Sequence, residues 1–450
     1  MYKIENLKGR RAALTTMALT LSVLLGGQAG AGELPADLTP VGAERAGNAA
    51  GTIPAWSGGD MEVPAGWKTG DPRKGKYDGE AKLFSINASN VDQYAANLTE
   101  GQIAMIKTYD GYRMDVYPSH RSCGYPQSVY DRTKANIDEA KLGADGGILA
   151  GHGGFLFPMP KNGLEALANH RTAYHGQAMY KMANMAVVQS NGSFVLNTGE
   201  IYSYSSFFNA NASATSDPYK SKFIYRQKEP VASIGGMIMT LEPYNGANES
   251  WVYIPGLRRV KKAPTATYDN PVAGQDGLRT FDQTYMYNGL PDRYDWTLKG
   301  KQEIYVPYNS EKMRGAGVTV ADIVGPKYSN RDLARYELHR VWVVEGIAKP
   351  EYRATFSRRV FYIDEDQWTI LQADLYDSKG ALWRTQENHT FMAPEVPACV
   401  SAGDFYYDLN AGRYVADEIV VGSGTVDYAA TNIVDEDLFS PNGMRRIGRR

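Results

Sequence analysis

Six histidines are the side chains of this sequence that could most readily take part in acid–base or metal chemistry: His120, His152, His170, His175, His339 and His389. His152 lies in AGHGGF, a glycine-rich element of the kind that presents backbone N–H groups to an oxyanion, but the Gly-x-Ser-x-Gly nucleophile that such an element serves is absent. His170 and His175 are five residues apart, whereas a helical zinc site requires a spacing of four. We therefore predict that the protein is not an enzyme and that it has no catalytic residue, no metal ion and no other cofactor.

A group of carboxylates between residues 269 and 295 could bind calcium or form the acid pair of a glycosidase. Its members are Asp269, Asp276, Asp282, Asp292 and Asp295. The order D-x-[DN]-x-[DN]-G of a calcium-binding EF-hand is absent from this group, and one sequence does not fix the distance between two carboxylates that a glycosidase requires. Because Arg279 and Arg293 are interspersed with these acids, loop salt bridges and Asx turns are the better interpretation.

The segment WVYIPGLRRVKKAP, residues 251–264, carries four cations within five positions: Arg258, Arg259, Lys261 and Lys262. In a strand bent at Pro255 and Gly256, Trp251 and Tyr253 would face apolar material while the cations face solvent. A solvated strand face is the simpler interpretation of such a cluster. The alternative is a docking site for an anionic membrane or an acidic partner protein, which implies transient membrane contact.

The first 31 residues have the pattern of a secretory signal peptide. Four cations precede an uncharged apolar run from Ala12 to Leu25, which is too short to be a lasting membrane span. The small residues Ala29, Gly30 and Ala31 follow, as at a cleavage site. We expect export to the periplasm of a mature protein that begins at Gly32.

The exported protein is mildly acidic. Four of the 48 Lys and Arg and one of the 50 Asp and Glu lie in residues 1–31, which leaves 44 cations, 49 anions and a net charge of −5. This charge and the export signal argue against a nucleic-acid partner. Cys123 and Cys399 enter a compartment where disulfides persist, and the sequence is compatible both with a bridge between them and with two free thiols.

The mature chain is organised as an irregular arm followed by one large domain. Residues 32–82 are rich in Gly, Pro and Ala and show little periodicity, so we expect an arm that lies on the main body. Residues 83–450 contain no low-complexity linker, and we expect a single domain there. The spacing of apolar residues predicts helical regions over 90–110 and 161–185.

Strand signals dominate after residue 191. Short β-branched and aromatic runs such as KFIYRQKEP and GGMIMTLEPY are separated by Gly, Pro and Asn. In RYELHRVWVVEG, residues 335–346, strict alternation predicts a half-buried strand with Arg335, Glu337 and His339 on the polar face. Three further runs joined by short polar turns, ATFSRRVFYI, WTILQADLY and ALWRTQENHTF, predict an antiparallel meander.

Long segments of this chain resemble a proteobacterial family of secreted proteins with a domain of unknown function, which is grouped with the Lol-type carriers that sort outer-membrane lipoproteins. They are GGFLFPMPKNGLEALANH, WVYIPGLRRVKKAPTATYDNP, GLRTFDQTYMYNGLPDRYDW, RYELHRVWVVEG and RRVFYIDEDQWTILQADLYDSKGALWR. The resemblance covers nearly the whole mature chain. It implies an α+β fold, mainly antiparallel β, in which an open and strongly curved sheet, an unclosed barrel, wraps around helices and leaves an apolar cavity.

The resemblance and the aromatic content together lead to a functional expectation. Some of five strand residues would line the cavity: Trp251, Tyr253, Trp342, Phe361 and Trp368. We expect a periplasmic carrier or chaperone for a lipid or another hydrophobic molecule, since an apolar pocket with a few polar groups suits such a ligand. The resemblance implies a partner of the resistance-nodulation-division exporter type or an outer-membrane protein. The alternatives are an envelope hydrolase that acts on lipid or glycan and a structural interaction module for an outer-membrane protein.

Overall fold

The computed structural model describes residues 32–210, 216–422, 424–432 and 434–448, so the expected signal peptide lies outside the described residues. The α-helices are α1 (Glu100–Thr108), α2 (Gln127–Glu139), α3 (Gly163–Arg171), α4 (Val320–Ile323) and α5 (Pro441–Gly448). The first ten strands are β1 (Phe84–Ile86), β2 (Met114–Val116), β3 (Lys141–Leu142), β4 (Ile148–Ala150), β5 (Ala178–Val188), β6 (Phe194–Tyr204), β7 (Tyr219–Glu229), β8 (Met237–Pro243), β9 (Glu249–Ile254) and β10 (Arg259–Lys262). The others are β11 (Tyr294–Pro307), β12 (Tyr336–Ala348), β13 (Arg358–Asp364), β14 (Ile370–Tyr376), β15 (Leu382–Ala393), β16 (Ala398–Asp408), β17 (Arg413–Ile419) and β18 (Thr425–Asp427).

One large sheet dominates the described part of the chain and contains sixteen of its strands. The order is β1-β2-β12-β13-β14-β15-β16-β17-β5-β6-β7-β8-β9-β10, with β11 beside β12 and β18 beside β5. Its pairings are antiparallel apart from a short parallel contact between β2 and β12, and β3 pairs with β4 separately. The expected α+β class with a mainly antiparallel sheet is therefore confirmed.

The strands expected between residues 335 and 391 are confirmed. β12 pairs with β13, β13 with β14 and β14 with β15, each antiparallel to the next. Tight turns connect β13 to β14 and β14 to β15, as the polar residues between the apolar runs indicate. The β-branched and aromatic runs and the turn residues agree here, which explains why local sequence predicts this part of the sheet.

Residues 161–185, expected to be helical, contain both a helix and a strand. The Asn162 side chain caps α3 by accepting a hydrogen bond from the Glu165 N–H at 3.0 Å, and the helix ends at Arg171. Gly176 then adopts a φ of +93°, which favours glycine, and β5 begins at Ala178. Because β5 lies between β6 and β17 in the interior of the sheet, sheet pairing overrides the weak helical spacing of its residues. The helix prediction was wrong beyond residue 171.

Helices α1, α2 and α3 pack on the half of the sheet that contains β12 to β16. Ile106, Val129 and Leu167 project from the three helices into the same hydrophobic core as Phe361 and Phe405 of the strands. All five side chains are buried. This core holds the end of α3 in a fixed position relative to the sheet.

The opposite face of β12 is also buried, although its alternation predicted a half-buried strand. Glu337 is 0% exposed and His339 is 1% exposed. Arg335 pairs with Glu337 at 2.6 Å and with Glu80 at 2.7 Å. Charged groups can be buried when each finds such a partner, and here one partner comes from the segment of residues 32–82. The half-buried assignment was wrong because a group from outside the strand, Glu80, helps to neutralise and cover this face.

Residues 32–82 contain neither helix nor strand and run along the sheet. The Trp368 indole N–H donates to the Val41 carbonyl at 2.9 Å, and the Arg121 guanidinium donates to the Glu44 carbonyl at 2.7 Å. These hydrogen bonds satisfy backbone groups of an irregular segment that would otherwise lose water on burial.

A disulfide joins Cys123 to Cys399, whose Cα atoms are 5.4 Å apart and which are separated by 276 residues in sequence. It connects the segment before α2 to β16. A disulfide fits a secreted protein, because such bonds persist in oxidising compartments. Among the helices that the structure describes, none combines the length and the apolar character needed to cross a membrane.

Candidate ligand-binding cavity

A cavity of about 870 Å³ lies on one face of strands β5 to β9. The end of α3, strands β16 and β17, and residues from the segment 263–288 complete its walls. Its volume falls in the range that small-molecule ligands occupy. Ser221 and Gln227 of β7 both line it, and six strand steps of about 3.3 Å make it roughly 20 Å long.

The antiparallel register places one side chain from each of five strands in a row along the cavity wall. This apolar row runs through Lys181, Ile201, Tyr225, Ile238 and Val252. All five line the cavity, because residues directly opposite each other across a sheet project to the same face. Apart from Lys181 at one end, the row offers aliphatic groups and one ring to a ligand.

The aromatic residues of β9 face away from the cavity. Trp251 and Tyr253 belong to a second core on the other face of the sheet, where Phe439 and Met444 of the C-terminal segment cover them. Alternate residues of a strand project to opposite faces, so Val252 lines the cavity and its two neighbours do not.

The three remaining aromatic candidates lie in the main core. Trp342 stacks on Trp368 with 6.1 Å between ring centroids, and Phe361 stacks on Trp296 at 5.5 Å. Phe361 and Trp368 are fully buried by protein atoms. The five aromatic candidates are therefore absent from the cavity lining that the described residues form. Other aromatic side chains, such as Phe223 and Tyr225 of β7, line it instead.

Two buried ion pairs lie where β5 and β17 meet the cavity. Lys181 contacts Glu418, and Arg279 contacts Asp417. Burial lowers the pKa of Lys181 to about 8. Each of these two cations forms an ion pair with a separate carboxylate, as a charge removed from water requires.

Near the start of β7 the cavity carries two cations but one carboxylate at ion-pair distance. Lys220 pairs with Glu242 at 2.8 Å, and the Asn288 amide also donates to Glu242. Burial raises the pKa of Glu242, but the Lys220 ammonium and these hydrogen bonds outweigh burial and hold the pKa below its usual value. Arg171, the last residue of α3, forms no ion pair with any described residue, and its Nη1 donates to the Gly146 carbonyl at 3.0 Å.

Two neutral histidines form part of the wall. His170 Nδ1 accepts the backbone N–H of Ile370 at 3.2 Å. His175 Nδ1 lies 3.2 Å from the Cys399 carbonyl oxygen and donates to it, so its Nε2 accepts the Tyr285 hydroxyl. Burial lowers the pKa of His170 to about 3 and that of His175 to about 4. Both rings therefore add hydrogen-bonding groups but no charge at neutral pH.

The basic segment noted in the sequence forms the exposed edge strand β10. Arg258, Arg259 and Lys261 are exposed and form no ion pair with described residues, whereas Lys262 pairs with Glu249 at 2.8 Å. Helix α5 packs against β9 and β10 and brings further exposed arginines to the same region. The solvated-face interpretation of the four cations thus fits their exposure.

Three exposed apolar side chains lie beside these cations. Val231 and Ile234 in the β7–β8 loop are 84% and 49% exposed, and Leu257 in the β9–β10 turn is 58% exposed. The loop and the turn are close together, since a Cβ on Gly235 would lie 3.6 Å from the Pro255 ring. Ser233 of the same loop lines the cavity. We call these residues the edge surface: Val231, Ile234, Leu257, Arg258, Arg259 and Lys261.

Sequence reasoning did not identify the cavity residues themselves. In GGMIMTLEPY the residues on both faces of the strand are apolar. No alternation therefore distinguishes Ile238 on the cavity face from Met239 in the second core. Arg171 carried no signal either, because a cation in the last turn of a helix is common at exposed sites. The long-range register of the sheet decides which strand residues line the cavity and where Arg171 lies relative to it.

Comparison with known proteins agrees with the resemblance seen in the sequence. The family model of DUF1329, described as a protein of unknown function, matches residues 85–445. The uncharacterized protein PA3922 of Pseudomonas aeruginosa is 41% identical over 436 residues, which cover 93% of this chain and 93% of that protein.

Solved structures show weaker likenesses. A DUF1329 family protein from Desulfovibrio piger is 13% identical, with a TM-score of 0.41, and the match covers 60% of this chain and 92% of that one. A LolA superfamily protein from Nitrosomonas europaea is 9% identical, with a TM-score of 0.39 over 63% of this chain and 100% of that one. Scores below 0.5 do not establish a shared fold, so the family rests on sequence: the chain belongs to the DUF1329 family.

Proposed function

We propose that this protein is a periplasmic carrier that holds an elongated hydrophobic molecule in the cavity between strands β5 to β9 and the segment 263–288. The apolar row is the single observation that carries the proposal, because beyond Lys181 it presents a continuous apolar wall across the four strands β6 to β9 inside a cavity of about 870 Å³. Burial of apolar surface contributes roughly 25 cal/mol per Å². A chain-like ligand would bind by this term without a covalent bond or a metal.

The arrangement of the strands supports a curved sheet around the ligand. Seven neighbouring strands, β16, β17 and β5 to β9, contribute to the lining of one cavity. A flat sheet would present these strands along a plane, whereas a concave sheet directs them toward a common space. We infer that the sheet forms an open, curved wall, as the family resemblance implies.

Two features of the chain taken together support residence in the periplasm. The N-terminal sequence predicts export, and the Cys123–Cys399 disulfide fits an oxidising compartment. A soluble carrier there would move a hydrophobic molecule through water between two membranes.

The edge surface would serve delivery to a membrane. Its exposed apolar groups suit the interface of a bilayer, and its cations suit anionic lipid head groups. Because Ser233 joins this loop to the cavity wall, a ligand would leave close to the bilayer. An exporter or outer-membrane protein as the receiving partner remains a prediction from the resemblance.

A binding assay with a cavity-filling variant tests the proposal. Ile238→Trp places a large ring in the cavity, while Ile347→Trp places the same ring on β12, where Ile347 is 45% exposed and does not line the cavity. The probe is N-phenyl-1-naphthylamine, a neutral fluorophore whose emission rises in apolar sites.

We expect wild type and Ile347→Trp to bind the probe equally, and Ile238→Trp to bind it at least tenfold more weakly with an unchanged melting temperature. Equal binding by all three proteins would show that the probe does not occupy the cavity. Absence of binding by the wild type would favour an envelope hydrolase or an interaction module instead.

A further inference from the structure

The two arginines that line the cavity differ in their partners. Arg279 contacts Asp417 directly, whereas Arg171 has no carboxylate of a described residue at ion-pair distance. Glu242, a cavity carboxylate whose field reaches Arg171, is already paired with Lys220 at 2.8 Å and accepts the Asn288 amide. The positive charge of Arg171 is therefore not neutralised by an ion pair with any described residue.

The Arg171 guanidinium also has spare hydrogen-bonding capacity. Its Nη1 donates to the Gly146 carbonyl at 3.0 Å, while its buried Nε has no partner among the described residues. Burial lowers the pKa of Arg171, and the longer-range fields of Glu242, Asp145 and Asp292 do not offset this effect. Arg171 as a whole is partly buried. A cation that loses water without gaining a partner is costly, and an anion supplied by a ligand would reduce that cost.

The surroundings of Arg171 place a polar head and an apolar tail in one cavity. The Lys220 ammonium lies 3.4 Å from the Arg171 carbonyl oxygen, so two cations flank the start of β7. Further along the same strand, Phe223 and Tyr225 line the cavity on the side of the apolar row. A molecule with an anionic end and one long apolar chain matches this distribution.

We propose that Arg171 binds the anionic head group of a single-chain amphiphile whose tail lies along the apolar row. This inference rests on the proposed carrier function and names its ligand class. A carboxylate or a phosphate monoester would each satisfy the guanidinium, which presents two parallel N–H groups to such an anion. Arg171 is then a specificity-determining residue, and the apolar row supplies the affinity that all chains of equal length share.

Three probes of equal chain length separate the contributions of head and tail. Hexadecanoic acid, hexadecyl phosphate and hexadecanol are titrated against the wild type by displacement of N-phenyl-1-naphthylamine. The wild type is expected to bind at least one of the two anions tenfold or more tightly than the alcohol. Comparison of hexadecanoic acid with hexadecyl phosphate shows which head group it prefers.

Two variants of the residue show whether Arg171 is responsible. In Arg171→Met the preference for the anion over the alcohol should vanish while the alcohol binds as before, and in Arg171→Lys part of the preference should remain. Arg353→Gln, at an exposed site outside both the cavity lining and the edge surface, is the control and should keep the full preference. The comparison within the wild type needs no variant, so a variant that fails to fold does not remove the test.

The outcomes distinguish the two proposals. A wild type that binds the alcohol as tightly as both anions overturns the head-group assignment but leaves the carrier intact, as does Arg171→Met with an undiminished preference. A wild type that binds none of the three chains overturns the carrier and the head-group assignment together.

Discussion

Trp251 and Val252 are neighbours in the sequence but contribute to different parts of the molecule. Val252 ends the apolar row in the cavity, while Trp251 packs against the second core beneath the C-terminal segment. The type of residue would suggest the reverse, because a large amphipathic ring suits a ligand-binding wall. Alternate residues of a strand face opposite sides of the sheet, and this decides which of the two lines the cavity. Which side each residue faces depends on the register of the whole sheet.

Trp251→Ala is therefore expected to affect stability and not binding. Loss of a partly buried ring from the second core should lower the free energy of unfolding by about 2 to 3 kcal/mol, measured by urea titration. Binding of N-phenyl-1-naphthylamine should stay within twofold of wild type, because Trp251 does not line the cavity. A stable Trp251→Ala protein with strongly weakened binding would contradict this placement.

Asp404 provides a pH-dependent test of burial near the cavity. Burial raises its pKa to about 6, and its Oδ1 accepts the Ser401 hydroxyl at 2.6 Å. The folded-state pKa lies above the unfolded value of 3.8. The contribution of the Asp404 carboxyl to stability is therefore fully present below pH 3.8 and is lost as the pH rises through 6. Asp404→Asn removes this loss, and its amide oxygen can still accept from Ser401.

The stability difference between Asp404→Asn and wild type should increase in favour of the variant by about 1 to 1.5 kcal/mol between pH 5 and pH 8, since each pKa unit corresponds to 1.36 kcal/mol. Urea titrations at the two pH values measure it. The exposed Asp92→Asn serves as the control and should show no such change. A constant difference for Asp404→Asn would mean that this carboxyl ionises normally in the folded protein.

At the scale of elements, the disulfide fixes β16 against the segment before α2. The carbonyl of Cys399 also accepts the N–H of His175 at 3.2 Å, so the bridge lies directly behind the cavity wall. Closure of a loop of 276 residues should stabilise the fold by roughly 5 to 6 kcal/mol on the chain-entropy model.

Replacement of Cys123 and Cys399 by Ala should lower the free energy of unfolding by roughly that amount, 5 to 6 kcal/mol. Dithiothreitol should lower the stability of the wild type to the same level and leave the double variant unchanged, when both are followed by urea titration. A double variant as stable as the oxidised wild type would show that the bridge adds nothing to the folded state.

The predictability of the elements depends on how local their causes are. The meander of β13 to β15 follows from its own β-branched and aromatic runs and the polar turns between them, and these local signals were enough to predict it. β5 becomes a strand because β6 and β17 pair with it on both sides. The residues within 178–188 give no indication of this pairing. In the same way, Glu337 and His339 of β12 are buried by groups from distant segments, which an alternating pattern does not reveal.

At the scale of the whole molecule, the edge surface predicts a salt-sensitive contact with anionic membranes. Replacement of Arg258, Arg259 and Lys261 by Gln should weaken binding to phosphatidylglycerol-containing liposomes about 100-fold at low salt, at roughly 1 kcal/mol for each cation. Liposome co-sedimentation measures it, and raised salt should weaken wild-type binding in the same way.

The matched control for the edge surface removes three exposed cations elsewhere: Lys68→Gln, Lys74→Gln and Lys379→Gln. Equal losses in the two triple variants would attribute membrane binding to net charge alone. Transfer of bound hexadecanoic acid to liposomes should fail only in the edge-surface variant. Unimpaired transfer by that variant at low salt would leave its cations as a solvated strand face.

The ligand that the protein carries after isolation from the periplasm tests the carrier function most directly. Organic extracts of the wild type, Ile238→Trp and Ile347→Trp are compared by mass spectrometry at equal protein concentration. We predict a long-chain amphiphile in near-stoichiometric amount in the wild type and in Ile347→Trp, and its loss from Ile238→Trp. Extracts of all three proteins that contain no such molecule, or the same amount in Ile238→Trp as in the wild type, would contradict a carrier that uses this cavity.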